Sequence, residues 1–310
     1  MQKSSRRVYV PSAVSSFFEI CDTYPNGSKI TDELKIGARG GGFVIQRGNT
    51  TSVSLSNSRN DSVHINGKRT PAARTSLKVI ELMRKDYQIP SLELSHHIEP
   101  PVGAGFGTSG AGAIGATLAI SDLFNLHLTL SQASDYAHRA EIESITGLGT
   151  VISLISGSGA MGIVTEPGSF SVGRVDSLMS DYTEYTLVCA CFGSIEKSTV
   201  LLHEERRTRV NKFGREAMIE IMKERTPKSL LYYSRLFAER TDIASPKLLK
   251  LADRAVEIGA IGATQNMIGN AIHCLVAKAR RRQFLASFSE LVPKKRIFES
   301  NLSQSGPRIL

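Results

Sequence analysis

Glu99-Pro-Pro-Val-Gly-Ala-Gly-Phe-Gly-Thr-Ser-Gly-Ala-Gly-Ala-Ile-Gly-Ala116 is the stretch on which the reading of this chain turns. Ahead of it, Ser91–Ile98 has strand character, with Leu92, Leu94 and Ile98 on one face. Pro100 and Pro101 end that strand, because proline gives a ladder no donor. Gly103, Gly105 and Gly107 then recur at every second position, a spacing that lets the backbone turn tightly and brings bare N–H groups close to a ligand. Thr108 or Ser109 is placed to cap a helix of small residues, running from Gly110 to about Phe124 with Ala111, Ile114, Leu118 and Ala119 on a shared face. A strand, a glycine loop and a helix N-terminus together bind anions, since the first-turn N–H groups lack partners and the helix dipole favours negative charge. Phosphate is the natural guest.

Several phosphate loops compete for this pattern. A Walker loop requires Gly-Lys followed by Ser or Thr, and the chain has no such triplet. A dinucleotide fingerprint is literally present as Gly105-x-Gly107-x-x-Gly110, yet no strand ending in an acid occurs about twenty residues on. The Val-Ala-Ile-Lys, His-Arg-Asp and Asp-Phe-Gly segments of protein kinases are missing. A glycine-rich helix start used for close packing alone is the structural alternative.

Pro101-Val-Gly-Ala-Gly-Phe-Gly-Thr-Ser-Gly-Ala111 resembles the Pro-x-x-x-Gly-Leu-Gly-Ser-Ser-Ala-Ala loop of the GHMP kinases, the small-molecule kinases of galactose, homoserine, mevalonate and relatives. Phe106, Thr108 and Gly110 stand where that pattern has Leu, Ser and Ala. Val10-Pro-Ser-Ala-Val-Ser-Ser-Phe-Phe, Gly37-Ala-Arg-Gly-Gly-Gly-Phe, Ala137-His-Arg-Ala-Glu-Ile-Glu-Ser-Ile-Thr-Gly-Leu-Gly-Thr and Gln265-Asn-Met-Ile-Gly-Asn resemble further segments of the archaeal pantoate kinases in that superfamily. The likeness spans nearly the whole chain. It implies an α+β, two-domain GHMP kinase fold: a ribosomal protein S5 domain 2-like N-terminal domain over residues 1–175 and a ferredoxin-like C-terminal domain over 176–310.

Bulk properties fit such an enzyme. The 310 residues suffice for one large or two ordinary domains. No apolar run approaches the ~18 residues of a membrane helix, and Val8–Val14 is too short for a signal segment, so a cytoplasmic protein without a membrane partner is expected. Cys21, Cys189, Cys191 and Cys274 form no Cys-x-x-Cys pair, which argues against zinc. The net charge of +9 invites a nucleic-acid reading. The basic residues are scattered, however, aromatic content is 6% and Trp is lacking, so no nucleic-acid partner is expected. Two anionic substrates would profit from a positive surface. A homodimer is compatible with the sequence.

Taken in order, residues 7–24 read as a strand, a turn at Pro11-Ser12 and a Ser- and Phe-rich segment. The resemblance sets Ser12, Ser15, Ser16 and Phe17 against pantoate, hydroxyls to its polar groups and the ring to its gem-dimethyl. Arg39 sits in a glycine run, where its fork suits a carboxylate such as pantoate's, or else it faces solvent from a hairpin turn. Thr50–Ile65 alternates around Asn60-Asp61 and reads as a hairpin. Arg74–Asp86 has helical spacing, and Ser131–Ile145 is a helix with Ser131 as N-cap. Glu141 falls on the inward side of that helix, where a carboxylate requires a cation, either Mg²⁺ or an arginine such as Arg139 or Arg39.

By resemblance, Mg²⁺ is held by Thr108 or Ser109 and by Glu141, and ATP lies on Pro101, Gly103, Ala104, Gly105, Phe106, Gly107, Thr108, Ser109, Gly110 and Ala111. An acid common in this superfamily just after Gly147-Leu-Gly is missing: Thr150 stands there. The acceptor is then deprotonated directly by phosphate or by a base such as His138. Val151–Val164 reads as a strand, and Lys197–Lys223 as mostly helical. Gly262, Thr264 and Gln265 either finish the active site or make a packing corner. The implied activity is ATP-dependent phosphorylation of D-pantoate to 4-phosphopantoate, a step toward coenzyme A. The alternatives are another acid acceptor such as homoserine or mevalonate, a dinucleotide-binding protein, and a non-catalytic nucleotide sensor.

Overall fold

Two long strands set the frame. β1 (Arg6–Cys21) and β2 (Gly37–Leu55) run antiparallel from Arg6↔Val53 to Cys21↔Gly37. A computed structural model describes residues 5–157, 159–195 and 203–310 of the chain. No turn occurs at Pro11-Ser12. The register instead shifts between Val10 and Ser12, where β2 carries two extra residues, and again between Ser15 and Phe17, where β1 carries one, and neither bulge breaks the strand. The glycines around Arg39 lie inside β2, so Arg39 is not in a hairpin turn. They let β1 approach: a Cβ on Gly42 would come within 2.0 Å of the Val14 carbonyl oxygen.

β2 is shared by two neighbours. Its first half pairs with β6 (Met161–Glu166) and its second half with β5 (Leu92–Ile98). The expected hairpin over 50–65 does not form. β5 lies between β2 and β3 (Ser62–Ile65), with Leu94 opposite Val53 on one side and opposite Val63 on the other. Alternation shows that both segments are half-buried strands but does not name their partner. The β3–β5 pair is parallel and is bridged by α1 (Arg74–Asp86), as parallel strands require a crossover. β4 (Lys68–Arg69) and β7 (Arg174–Ser177) complete the sheet edges, so the expected division at residue 176 falls inside β7.

α2 (Thr108–Leu123) lies on β1 and β2, flanked by α1 and α3 (Leu130–Ser144). Its cap is Gly107, in the left-handed region at φ +63°, with no side-chain cap bond; Thr108 and Ser109 belong to the first turn. α3 starts one residue before the expected Ser131. Thr129 is its cap, in a reciprocal pair with Gln132 that satisfies two orphan donors. Val151–Ile155 belongs to a short helix, α4 (Thr150–Ile155), rather than to a strand; such short apolar runs suit either when buried.

The second sheet orders β11 (Ile297–Asn301), β8 (Tyr185–Cys191), β10 (Ala271–Ala277) and β9 (Gly262–Gln265), all antiparallel. Numbered along the chain this is 4-1-3-2, the ferredoxin-like order. Among the described residues three helices lie between β8 and β9: α5 (Glu204–Lys223), α6 (Pro227–Arg240) and α7 (Pro246–Glu257). The last two begin on Thr226-Pro and Ser245-Pro, with the hydroxyls accepting from Ser229 N and Leu248 N. Part of the expected helix from Lys197 lies outside the described residues. α8 (Arg281–Leu291) precedes β11, and β12 (Arg308–Ile309) returns to pair with β1.

One apolar cluster joins the two halves through Phe17, Phe18, Phe43, Leu187, Phe237 and Phe298. Among the described residues no helix is long and apolar enough to cross a membrane. Gly214 brings α5 onto β1, where a Cβ would meet the Phe18 carbonyl oxygen at 2.2 Å. Gly214→Ala is therefore expected to destabilise the protein by about 1–3 kcal/mol, in spite of alanine's better helix propensity. Urea unfolding would measure this; a rise in the midpoint would contradict it.

Candidate active site

The glycine loop leaves β5 through Glu99, whose carboxylate accepts from Gly48 N at 3.1 Å and Arg47 Nε at 3.2 Å. Gly103, Gly105 and Gly107 all take positive φ, at +80°, +81° and +63°. The side chains of Ala104 and Phe106 turn into the core, Phe106 edge-on to Phe298 at 5.0 Å, so the loop offers a ligand its backbone. Ala13 N donates to Phe106 O at 3.2 Å, fastening the loop to β1. The first α2 backbone bond to close is Ala111 N to Gly107 O. The N–H groups of Thr108, Ser109 and Gly110 precede it at the positive end of the helix.

Glu141 comes up from α3 to meet this end. Its side chain is buried, and Ser109 Oγ donates to Oε1 at 2.6 Å. Two glycines make room for the carboxylate: a Cβ on Gly147 would lie 2.3 Å from Oε2, and one on Gly110 3.0 Å. The arginines that competed for Glu141 are engaged elsewhere, Arg139 with Glu33 at 3.0 Å and Arg39 with Glu19 at 2.7 Å. Among the described residues no cation pairs with Glu141. A buried carboxylate beside an alcohol and without a counter-charge is a donor set of hard oxygens that fits Mg²⁺.

A cleft opens next to the loop, walled by β1, β2, the 146–150 segment, Met267 and Ile268. Ala13 and Thr150 border it and also touch Gly107. Ser15 and Phe17 line it, with Thr146, Thr150 and Ser153 adding hydroxyls. Ser12 and Ser16 do not; both are buried, and Ser16 Oγ bonds His273 at 2.8 Å. Among the described lining residues Arg39 carries the one charge. Its guanidinium donates twice to Glu19 Oε2, at 3.0 and 2.7 Å, while Arg215 donates twice to Oε1, at 3.2 and 2.8 Å. Two arginines against one carboxylate leave this corner with a net positive charge. The Arg39 side chain is 37% exposed and that of Glu19 5%, so Arg39 keeps a face toward the cleft.

Other expected site residues are placed differently. His138 is buried on α3 and donates from Nε2 to Ile36 O at 2.9 Å and Glu33 O at 3.2 Å. It pins the chain ahead of β2, outside the cleft, and burial pulls its pKa down. Gly262, Thr264 and Gln265 are buried in β9 and do not line the cleft. Gly262 packs on Leu231, Thr264 Oγ1 donates to Ser234 O and Gln265 Nε2 to Gly269 O. The residue that reaches the loop is the next one: Asn266 Nδ2 donates to Ala104 O at 3.1 Å. Sequence reasoning does not single out Glu19, Arg215, Asn266 or His273. Asn266 alone has a signal, inside the Gln265-Asn-Met-Ile-Gly-Asn segment.

Residues 74–157 match the profile of the GHMP kinases N terminal domain, a span that holds the loop, Ser109 and Glu141. Over that span the chain carries a GHMP kinase N-terminal domain. It is 26% identical over 272 residues to the pantoate kinase of Methanocaldococcus jannaschii, covering 87% of this chain and 93% of that one. It is 28% identical to the pantoate kinase of Thermococcus kodakarensis, with 87% of each covered. A solved structure described as a phosphotransferase related to the CoA biosynthesis pathway superposes over 99% of both chains, with a TM-score of 0.85 and 23% identity. The GHMP kinase fold, α+β with a ferredoxin-like second half, is thus that of this chain.

Two imidazoles tie the site to its support. His96, beneath α2, bonds Thr51 Oγ1 and Ser76 Oγ, each at 2.9 Å. Burial pushes its pKa down to about 4 and that of His273 to about 3. Below pH ~6.5 the unfolded chain takes up protons on both rings, and the folded protein does so only at those lower values. Their contribution to stability is therefore complete above pH ~6.5 and is lost as pH falls toward 4, at about 1.4 kcal/mol per pH unit for each ring. Urea midpoints are expected to drop between pH 7 and pH 4.5, with a shallower drop in His96→Gln. An equal slope in the variant would exclude His96 as a source.

Proposed function

We infer that this chain is an ATP-dependent pantoate kinase, converting D-pantoate to 4-phosphopantoate. The Ser109–Glu141 pair at the head of α2 carries the phosphoryl-transfer part of this reading. The acceptor part is supported by the likeness to pantoate kinases over 87% of the chain and by a cleft that suits a small branched acid, apolar along Phe17 and Val164 with Arg39 as its charge.

The loop's N–H groups and the α2 dipole would take the triphosphate. Ser109 and Glu141, with Thr108 beside them, would hold Mg²⁺, which supplies charge neutralisation on the phosphates. Arg39 would take the carboxylate of pantoate, oriented from behind by Glu19, and Phe17 would face the gem-dimethyl. The acceptor hydroxyl then points past Ala13 and Thr150 toward the loop for in-line attack on the γ-phosphate. No carboxylate or imidazole lines the cleft among the described residues. The hydroxyl proton accordingly passes to a phosphoryl oxygen. This suits a loose transition state, in which positioning and charge stabilisation dominate.

ADP release with MgATP is expected with D-pantoate and not with homoserine, mevalonate or pantothenate; turnover of another acid alone would displace the acceptor reading. Glu141→Gln is expected to lower kcat at least tenfold, and near-normal turnover would remove Glu141 from the metal site. Arg39→Lys loses the bidentate geometry. It should raise the KM for pantoate about tenfold, roughly one charge-assisted hydrogen bond, and leave the KM for ATP within about twofold.

A further inference from the structure

A buried line of side chains runs from β1 to the glycine loop through the second sheet. Asn266 Oδ1 can only accept, so His273 Nδ1 donates to it, at 2.9 Å. His273 Nε2 is then the acceptor, and Ser16 Oγ donates to it at 2.8 Å. Asn266, its oxygen engaged, turns its amide nitrogen to Ala104 O at 3.1 Å. Ser16, His273 and Asn266 are all fully buried, and the Phe43 ring makes a T-shaped pair with the imidazole, centroids 5.7 Å apart.

The turn that carries Asn266 is moulded to the same loop peptide. A Cβ on Gly269 would lie 2.5 Å from Gly105 N, and one on Gly105 2.8 Å from Asn266 Cβ. On its other side the turn is tied to β1, where Met267 N donates to Ser15 O at 2.9 Å. Gly105 is next in the chain after Ala104, so the direction of its N–H depends on where the Ala104 carbonyl is held.

We propose that His273 is a positioning residue for phosphate binding: through Asn266 it fixes the Ala104–Gly105 peptide, and so aims the loop's N–H groups at the nucleotide. The imidazole touches no substrate. The neutral Nδ1–H tautomer gives the line its direction, and the Asn266 amide cannot rotate while Nδ1–H holds its oxygen. This rests on the reading of residues 101–111 as the nucleotide loop.

The test begins with the wild-type protein. Titration with MgATP gives the Kd on which the loop reading stands; no binding would fail that reading and leave the side-chain line untouched. Nitrogen NMR of the histidines then reports the tautomer of His273, where Nδ1–H at neutral pH is expected and Nε2–H or an imidazolium would overturn the proposal. Two substitutions separate positioning from packing. In His273→Asn the amide nitrogen can replace Nδ1–H toward Asn266, and MgATP Kd should stay within about twofold. In His273→Gln the side chain reaches toward Ser16 and Nδ1–H is lost. Kd for MgATP should then weaken about five- to tenfold, a loss on the scale of one buried hydrogen bond, with the KM for pantoate within about twofold. Equal losses in both variants, or an unchanged Kd in His273→Gln, would overturn the assignment. Asn266→Asp sets a carboxylate against the Ala104 carbonyl and should weaken MgATP at least as much. A folded Asn266→Asp protein that binds MgATP normally would also overturn it.

Discussion

A helix that lies flush on a sheet is the constraint on which the rest of the site depends. α2 leaves no room for side chains where it crosses β2: a Cβ on Gly115 would sit 2.3 Å from Thr51 Oγ1. Small residues allow that approach, at a cost in helix propensity that burial must offset. The depth of α2 fixes the height of its first turn, where Gly107 meets Ala13 and Thr150, and hence where its unpaired N–H groups stand. It also sets Ser109 opposite Glu141. A larger residue in mid-helix would lift the first turn of α2 away from β1.

The same economy of space governs the charges. Glu141 is buried between two glycines beside one hydroxyl, whereas Glu19, equally buried, is met by two guanidinium groups. One carboxylate is left to be completed by a ligand and the other is more than completed by the protein. The two corners therefore differ in sign: an uncompensated carboxylate beside the head of α2, and a net positive group on the wall of the cleft. No acid stands at Thr150, so the proposed reaction would rest on this polarity and on alignment.

Local chemistry made the loop, α2 and the inward face of α3 legible, because glycine spacing, small-residue runs and helical periodicity are local properties. The 4-1-3-2 sheet came from family resemblance and not from periodicity. What escaped depended on partners distant in sequence. Nothing near Arg39 announces Glu19 and Arg215, and nothing near His273 announces Ser16, which is 257 residues away. The alternation of Thr50–Ile65 was real, but β5 arrives from beyond α1 to separate the two strands. Gly262, Thr264 and Gln265 were one step from the residue that touches the loop, since successive strand residues face opposite ways and Asn266 is already in the turn.

The return of β12 to β1 gives the molecule a mechanical character. Val8 faces Ile309 and Tyr9 faces Arg308 in an antiparallel pair, and the Arg308 guanidinium lies 4.0 Å above the Tyr9 ring. The first and last of the described strands thus begin and finish side by side. A force that drew them apart would open the pair one rung at a time, as a zipper, instead of shearing all rungs together. Once it opened, the load would pass to β1, the strand on which the loop, the cleft and the second sheet all hang.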